Sequence, residues 1–214
     1  MEKITLLDTL PAVFADQPQR HSDLWRQNIT FQRGHSYLIS AESGAGKSSL
    51  CAYIFGFRRD YLGQILFDGT DSRQLSIAQW CRIRQKHIAY LPQELRLFPE
   101  LTALENVELK NRQTGYKSRQ QILSLFDAMG IADRANSLAG QISIGQQQRV
   151  AIIRTLCQPC DFILLDEPVS HLDQANNSIV ASIIQSEALS SGAGIIATSV
   201  GNNIELNATE GLNL

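Results

Sequence analysis

Apolar residues recur along the chain with two different periods. Short runs rich in β-branched and aromatic residues fall at 29–31, 37–40, 65–67, 88–91, 162–165 and 195–198, and they read as strands. Stretches with apolar residues three and four positions apart fall at 103–110, 118–129 and 146–157, and they read as helices. Helices also fit between many of the strands, which is the order of an α/β chain with a mostly parallel sheet. An early group, about 4–35 together with 64–69, has the look of antiparallel strands. From about 95 to 157 no strand pattern interrupts the helical one. The periods predict one domain in which residues 1–94 and 158–214 form the α/β core with an antiparallel β subdomain, and about 95–157 form an inserted helical subdomain. Neither a tandem repeat nor a low-complexity linker separates these parts.

Composition fits that picture: 214 residues, 43% of them apolar and 19% charged, suffice for a full core. A net charge of −2, with only brief basic groups at 58–59 and 82–86, offers no footprint for nucleic acid. No apolar run approaches the roughly 20 residues of a membrane helix, and MEKITLLDTL lacks the basic-then-apolar layout of a leader, so a cytoplasmic chain is expected. Cys51, Cys81, Cys157 and Cys160 read as reduced packing thiols, because the Cys157/Cys160 pair has no second pair to complete a zinc site.

The first candidate chemistry lies at AESGAGKSS, residues 41–49, between the strand pattern SYLIS and the helical stretch LCAYIFGF. Gly44 and Gly46 allow a turn tight enough for successive N–H groups of Ser43, Gly44, Ala45, Gly46, Lys47, Ser48 and Ser49 to face one anion, and the helix start adds positive charge. Lys47 would reach the β and γ phosphates and Ser48 would hold Mg²⁺. Ala41 stands where the strict pattern has glycine, a mild departure. The second is Asp166-Glu167-Pro168 at the end of the apolar run 162–165. In an open α/β sheet the strands' carboxyl ends line the ligand site. Asp166 can reach Mg²⁺ there through water, and Glu167 can orient or deprotonate an attacking water.

Three further stretches complete a series: Gln93 after HIAYLP, ISIGQ at 142–146 opening a helix, and Ser170-His171-Leu172-Asp173 after the acidic pair. With the phosphate loop, the series resembles the ATP-binding subunits of ABC transporters over essentially the whole chain. The resemblance implies a P-loop NTPase core that binds ATP and Mg²⁺ and hydrolyses ATP. It implies a second ATP-binding subunit, identical or not, a separate transmembrane permease, no nucleic acid, and a place peripheral to the inner face of the cell membrane. Within it, Gln93 contacts the metal together with Ser48 and Asp166. Ser143, Gly145 and Gln146 close over ATP held by the second subunit, and Asp173 communicates between the two sites. An aromatic residue ahead of the loop stacks on adenine; Phe14 is the candidate, with His21 and Trp25 as rivals.

Two residues depart from the family pattern. Ile144 replaces a glycine: at positive φ it would be strained or would hold phosphate off, and at negative φ it points away harmlessly, the case favoured here. Ser199 stands where the family has a histidine beside the γ-phosphate, and serine is shorter and carries no charge. Slow hydrolysis, or action of Ser199 through a bridging water, is expected. Leu97, Phe98, Leu101, Leu104 and Val107 recur at helical spacing, either packing inside the helical lobe or lining a groove for a permease helix. A weakly hydrolysing regulatory protein is the competing reading. A DNA-repair type ABC ATPase is disfavoured by the lack of heptads or a basic patch, and a small-molecule kinase leaves ISIGQ unexplained.

Overall fold

A computed structural model describes residues 1–16, 22–201 and 203–214; His21 lies outside the described residues. In chain order the elements are β1 (Lys3–Pro11), β2 (Asn28–Gln32), β3 (Ser36–Ser40), α1 (Lys47–Ile54), β4 (Tyr61–Phe67), β5 (Thr70–Asp71), α2 (Ile77–Lys86) and β6 (Ile88–Leu91). There follow α3 (Ala103–Asn111), α4 (Arg119–Ala128), α5 (Ile144–Leu156), β7 (Phe162–Asp166), α6 (Gln174–Ser191), β8 (Gly194–Ser199) and β9 (Glu210–Asn213).

The strands form two sheets. One, ordered β6-β7-β8-β3-β9, is parallel throughout; the other, β2-β1-β4-β5, is antiparallel. Every residue of β7 and β8 is buried, as strands covered on both faces must be, whereas β1 alternates buried with exposed or half-buried positions and has one wet face. Phe31, Tyr37, Leu50, Tyr53, Ile88 and Leu164 fill one core. Leu104, Val107, Phe126, Val150, Ile153 and Ile184 fill the other, beneath the helices inserted between β6 and β7. Each such side chain, fully buried, contributes about 1.5–3 kcal/mol.

The inserted helices begin where serine or threonine precedes glutamine or glutamate by three residues. Thr102, Ser118 and Ser143 each accept a bond from the N–H of Glu105, Gln121 and Gln146 and are bonded back by that residue's side chain. Ser76 starts α2 in the same way with Gln79. Of the five apolar residues at 97–107, Leu104 and Val107 are buried in the helical core, Leu97 packs partly against it, and Phe98 is half exposed. Among the described residues no helix is long and apolar enough to cross a membrane.

In the parallel sheet β3 neighbours β8, and β8 neighbours β7. Registers pair Ser40 with Ser199 and Asp166 with Thr198. The loop after β3, the acidic pair after β7 and Ser199 at the end of β8 therefore meet at one edge.

Candidate nucleotide site

The loop between β3 and α1 is held open by its backbone. Gly46 takes a φ of 99 as the residue capping α1, with Gly44 at 83. A β-carbon on Gly46 would lie 3.1 Å from both Phe14 Cε2 and Trp25 Cζ2. Only glycine combines that φ with that approach. The Trp25 indole N–H donates to the Ala45 carbonyl at 3.0 Å, and its side chain is buried. Both rings therefore flank Gly46, the buried Trp25 also bracing the loop through its bond to Ala45, and the half-buried Phe14 remaining partly open to solvent. The Ser49 hydroxyl accepts from Arg58 Nη1 at 3.0 Å, which leaves its backbone N–H as its contribution to the loop.

Lys47 is buried, and its ammonium donates to the carbonyls of Ala41 at 3.0 Å and Glu42 at 2.7 Å. Burial lowers its pKa, while the facing carboxylates of Glu167 and Asp166 push it back up. Asp166 is buried at 2% exposure and accepts from Thr198 Oγ1 at 2.9 Å. Burial raises its pKa; the bonds from Thr198 and Ser48 and the charge of Lys47 oppose the rise. A serine hydroxyl beside an aspartate, both hard oxygen donors, suits Mg²⁺. No cluster of three or more His, Cys, Asp or Glu that could hold a metal ion occurs among the described residues.

Glu167 carries a left-handed φ of 52, which costs a non-glycine residue about 1–2 kcal/mol. Its N–H donates to the Thr198 carbonyl at 3.1 Å, and its Oε2 accepts from Gln93 Nε2 at 3.1 Å. Gln93 and the second carboxylate therefore share one hydrogen bond across 74 residues of sequence. Ser199 is buried; its hydroxyl bonds to Asn203 Oδ1, and its carbonyl accepts from the Ala41 N–H at 3.4 Å.

A second group lies at the start of α5. Ser143 Oγ accepts from the Gln146 N–H at 3.3 Å, and Gln146 Oε1 accepts from the Ser143 N–H at 2.9 Å. The N–H groups of Ile144 and Gly145 at the first turn have no partner within the helix and lie at its positive end. Ile144 has helical backbone and is half exposed, so it neither strains the turn nor closes it. Gly145 is packed against the 170–173 loop: a β-carbon there would come within 3.1 Å of the His171 carbonyl. Asp173 caps α6 by accepting from the Asn176 N–H at 2.9 Å, which holds its carboxyl below the usual range. Among the described residues no hydrogen bond joins Ser143, Gly145, Gln146 or Asp173 to the phosphate loop of the same chain.

Several contributors escape a linear reading. Thr198 holds both Asp166 and the Glu167 backbone. Asn106, 1% exposed, bonds the Phe98 N–H at 2.8 Å and carbonyl at 3.0 Å and so fixes the loop after Gln93. Gln148 is a polar residue in the buried stripe 148, 151, 152, 155 of α5, and that pattern was its one sequence signal.

Phosphate loop, buried aspartate and strained glutamate at the carboxyl edge of a parallel sheet define a P-loop nucleotide-binding protein. A family profile described as ABC transporter matches residues 24–170, and the chain belongs to that family, as an ATP-binding subunit. It is 39% identical over 169 residues to the phosphonates import ATP-binding protein PhnC of Lactiplantibacillus plantarum, over 74% of this chain and 66% of PhnC. It is 30% identical over 206 residues to the lipoprotein-releasing system ATP-binding protein LolD of Shewanella denitrificans, over 94% of this chain and 88% of LolD. The fold matches the dimeric, post-hydrolysis structure of the ATP-binding cassette MJ0796 bound to ADP and Pi, with a TM-score of 0.76, 25% identity and coverage of 92% and 87%.

Proposed function

We propose that the chain binds ATP with Mg²⁺, pairs with a second ATP-binding subunit so that each nucleotide is enclosed by both chains, hydrolyses ATP to ADP and phosphate, and thereby drives a separate membrane permease. The observation that carries this reading is the division of the site: Lys47, Asp166, Glu167 and Gln93 gather at one edge, while among the described residues no hydrogen bond joins the serine-capped start of α5 to the phosphate loop.

In this reading the N–H groups of 43–49 and the Lys47 ammonium bind the β and γ phosphates, for which Lys47 exchanges its bonds to Ala41 and Glu42. Phe14, more exposed than the buried Trp25 that is bonded to the Ala45 carbonyl, stacks on the base. Ser48, Asp166 and Gln93 would hold Mg²⁺, which supplies neutralisation of phosphate charge. Glu167, aimed by Gln93, accepts the proton of the attacking water. Ser143 and the N–H groups of Ile144 and Gly145 cap the partner's γ-phosphate, with Gln146 locking Ser143 in place and Asp173 fixing the loop beside it. Closure is a population shift: ATP favours the closed pair because only that pair completes its contacts. The half-exposed Phe98 loop, pinned by Asn106, is the surface offered to the permease.

A second reading, a regulatory ATP-binding protein with weak turnover, draws support from Ser199, whose hydroxyl is committed to Asn203 and carries no charge. Phosphate release by the purified chain, alone and with its permease, separates the two. The transport reading expects release that rises with the permease and falls about 100-fold or more in Glu167→Gln. Release that is negligible in both settings, or unchanged by that substitution, favours the regulatory reading.

A further inference from the structure

Gln148 lies one turn beyond the serine-capped start of α5 and is 1% exposed. Its amide reaches three groups of the segment that follows β7. Nε2 donates to the Glu167 carbonyl at 3.3 Å and to Ser170 Oγ at 3.5 Å, and Oε1 accepts from the His171 N–H at 3.0 Å. These contacts use both amide protons and the carbonyl of one side chain. The Glu167 peptide is thereby held at both ends, its N–H on the Thr198 carbonyl and its own carbonyl on Gln148 and the Ser170 N–H, around a left-handed φ. A non-glycine residue keeps such a conformation only where its surroundings fix it. Gly145 rests on the His171 carbonyl, so the first turns of α5 and residues 167–171 are joined at two points. The neighbours of Gln148 on the same buried stripe include Ala151 and Ile152. An amide there costs desolvation that an apolar residue would avoid.

We propose that Gln148 is a positioning residue that links the two nucleotide sites within one chain. When the start of α5 closes on the neighbour's ATP, Gln148 transmits the movement to the Glu167 peptide and aims the carboxylate at the chain's own ATP. The proposal rests on the two-chain enclosure described above and adds to it the route by which one site learns that the other is filled.

Gln148→Met keeps length and burial and removes all three bonds. Gln148→Glu keeps the acceptor for His171 and removes both donations. Phosphate release is measured against ATP concentration, beside binding of a fluorescent ATP analogue. Wild type is expected to show a Hill coefficient approaching about 2, the limit for two sites. Both variants are expected to bind the analogue within about twofold of wild type, to release phosphate about tenfold or more slowly at saturation, and to lose cooperativity, with a Hill coefficient near 1. Wild-type turnover and cooperativity in a folded variant overturn the proposal, and so does a parallel loss of analogue binding, which marks a merely structural residue. If Gln148→Met does not fold, Gln148→Glu decides by the same criteria. Glu167→Gln that fails to pair with ATP overturns the enclosure itself; pairing that persists alongside unaffected Gln148 variants overturns only this link.

Discussion

Replacing Gly46 by alanine perturbs the phosphate loop in two separable ways. The φ of 99 is in the left-handed half of conformational space, which costs an L-residue about 1–2 kcal/mol. The new methyl group meets Phe14 Cε2 and Trp25 Cζ2, each at 3.1 Å. Trp25 can yield only by loosening its bond to the Ala45 carbonyl, worth about 1 kcal/mol. Together these predict about 2–3 kcal/mol of destabilisation, a fall in melting temperature of about 4–12 °C for a chain of this length. Gly44→Ala is the control: its φ is 83, but a β-carbon there meets nothing within 4 Å, so it carries the backbone cost alone. Thermal melts of both nucleotide-free variants, read by calorimetry, measure the difference. Equal melting temperatures for the two, or Gly46→Ala within about one degree of wild type, would refute the packing of the rings on the loop.

Phe14→Ala is expected to weaken ATP binding about 5- to 150-fold, from a base-stacking contribution of about 1–3 kcal/mol, while an aromatic Phe14→Tyr retains affinity; equilibrium titration with a fluorescent nucleotide checks this, and unchanged affinity in Phe14→Ala removes the residue from the site. Because burial raises the pKa of Asp166, the folded chain holds that proton more tightly than the unfolded one. The contribution therefore favours the fold below the unfolded carboxylate range, near pH 3.9, and is lost as pH rises through the folded value. Asp166→Asn should accordingly melt above wild type at pH 8 in the absence of nucleotide, with the gap narrowing towards pH 4; a variant that melts below wild type at pH 8 contradicts the assignment. Ser199→Ala should change turnover by less than about tenfold, against about 100-fold or more for Glu167→Gln, since the Ser199 hydroxyl is spent on Asn203; the reverse order would make Ser199 the principal catalytic group.

The parts of the site that were legible in the sequence are those set by local chemistry. The loop at 41–49 signals itself by glycine placement between a strand and a helix, and the serine-to-glutamine spacing from Ser143 to Gln146 fixes the start of α5, which is why Ile144 falls at a helical φ. Asp166 and Glu167 follow directly from an apolar run that ends in charge. What the linear pattern hides is partnership across strands and lobes. Thr198 reads as one more β-branched residue until β8 is laid beside β7. Phe14 and Trp25 are equivalent as aromatic residues until the buried indole is found bonded to the Ala45 carbonyl. The helical spacing of 97–107 is real, yet Leu104 and Val107 are spent on the core, while Leu97 and Leu101 are half-buried and Phe98 is exposed. β9 went unread because a four-residue edge strand with a single buried position carries no period.

In the function proposed here each ATP is enclosed by two chains, the lysine loop of one and the serine-capped α5 of the other. Light scattering on Glu167→Gln with ATP and Mg²⁺ tests that most directly. The predicted result is a species of twice the single-chain mass that requires nucleotide and is abolished by adding Ser143→Arg. A single-chain mass at saturating ATP, both free and when joined to its permease, would contradict the account.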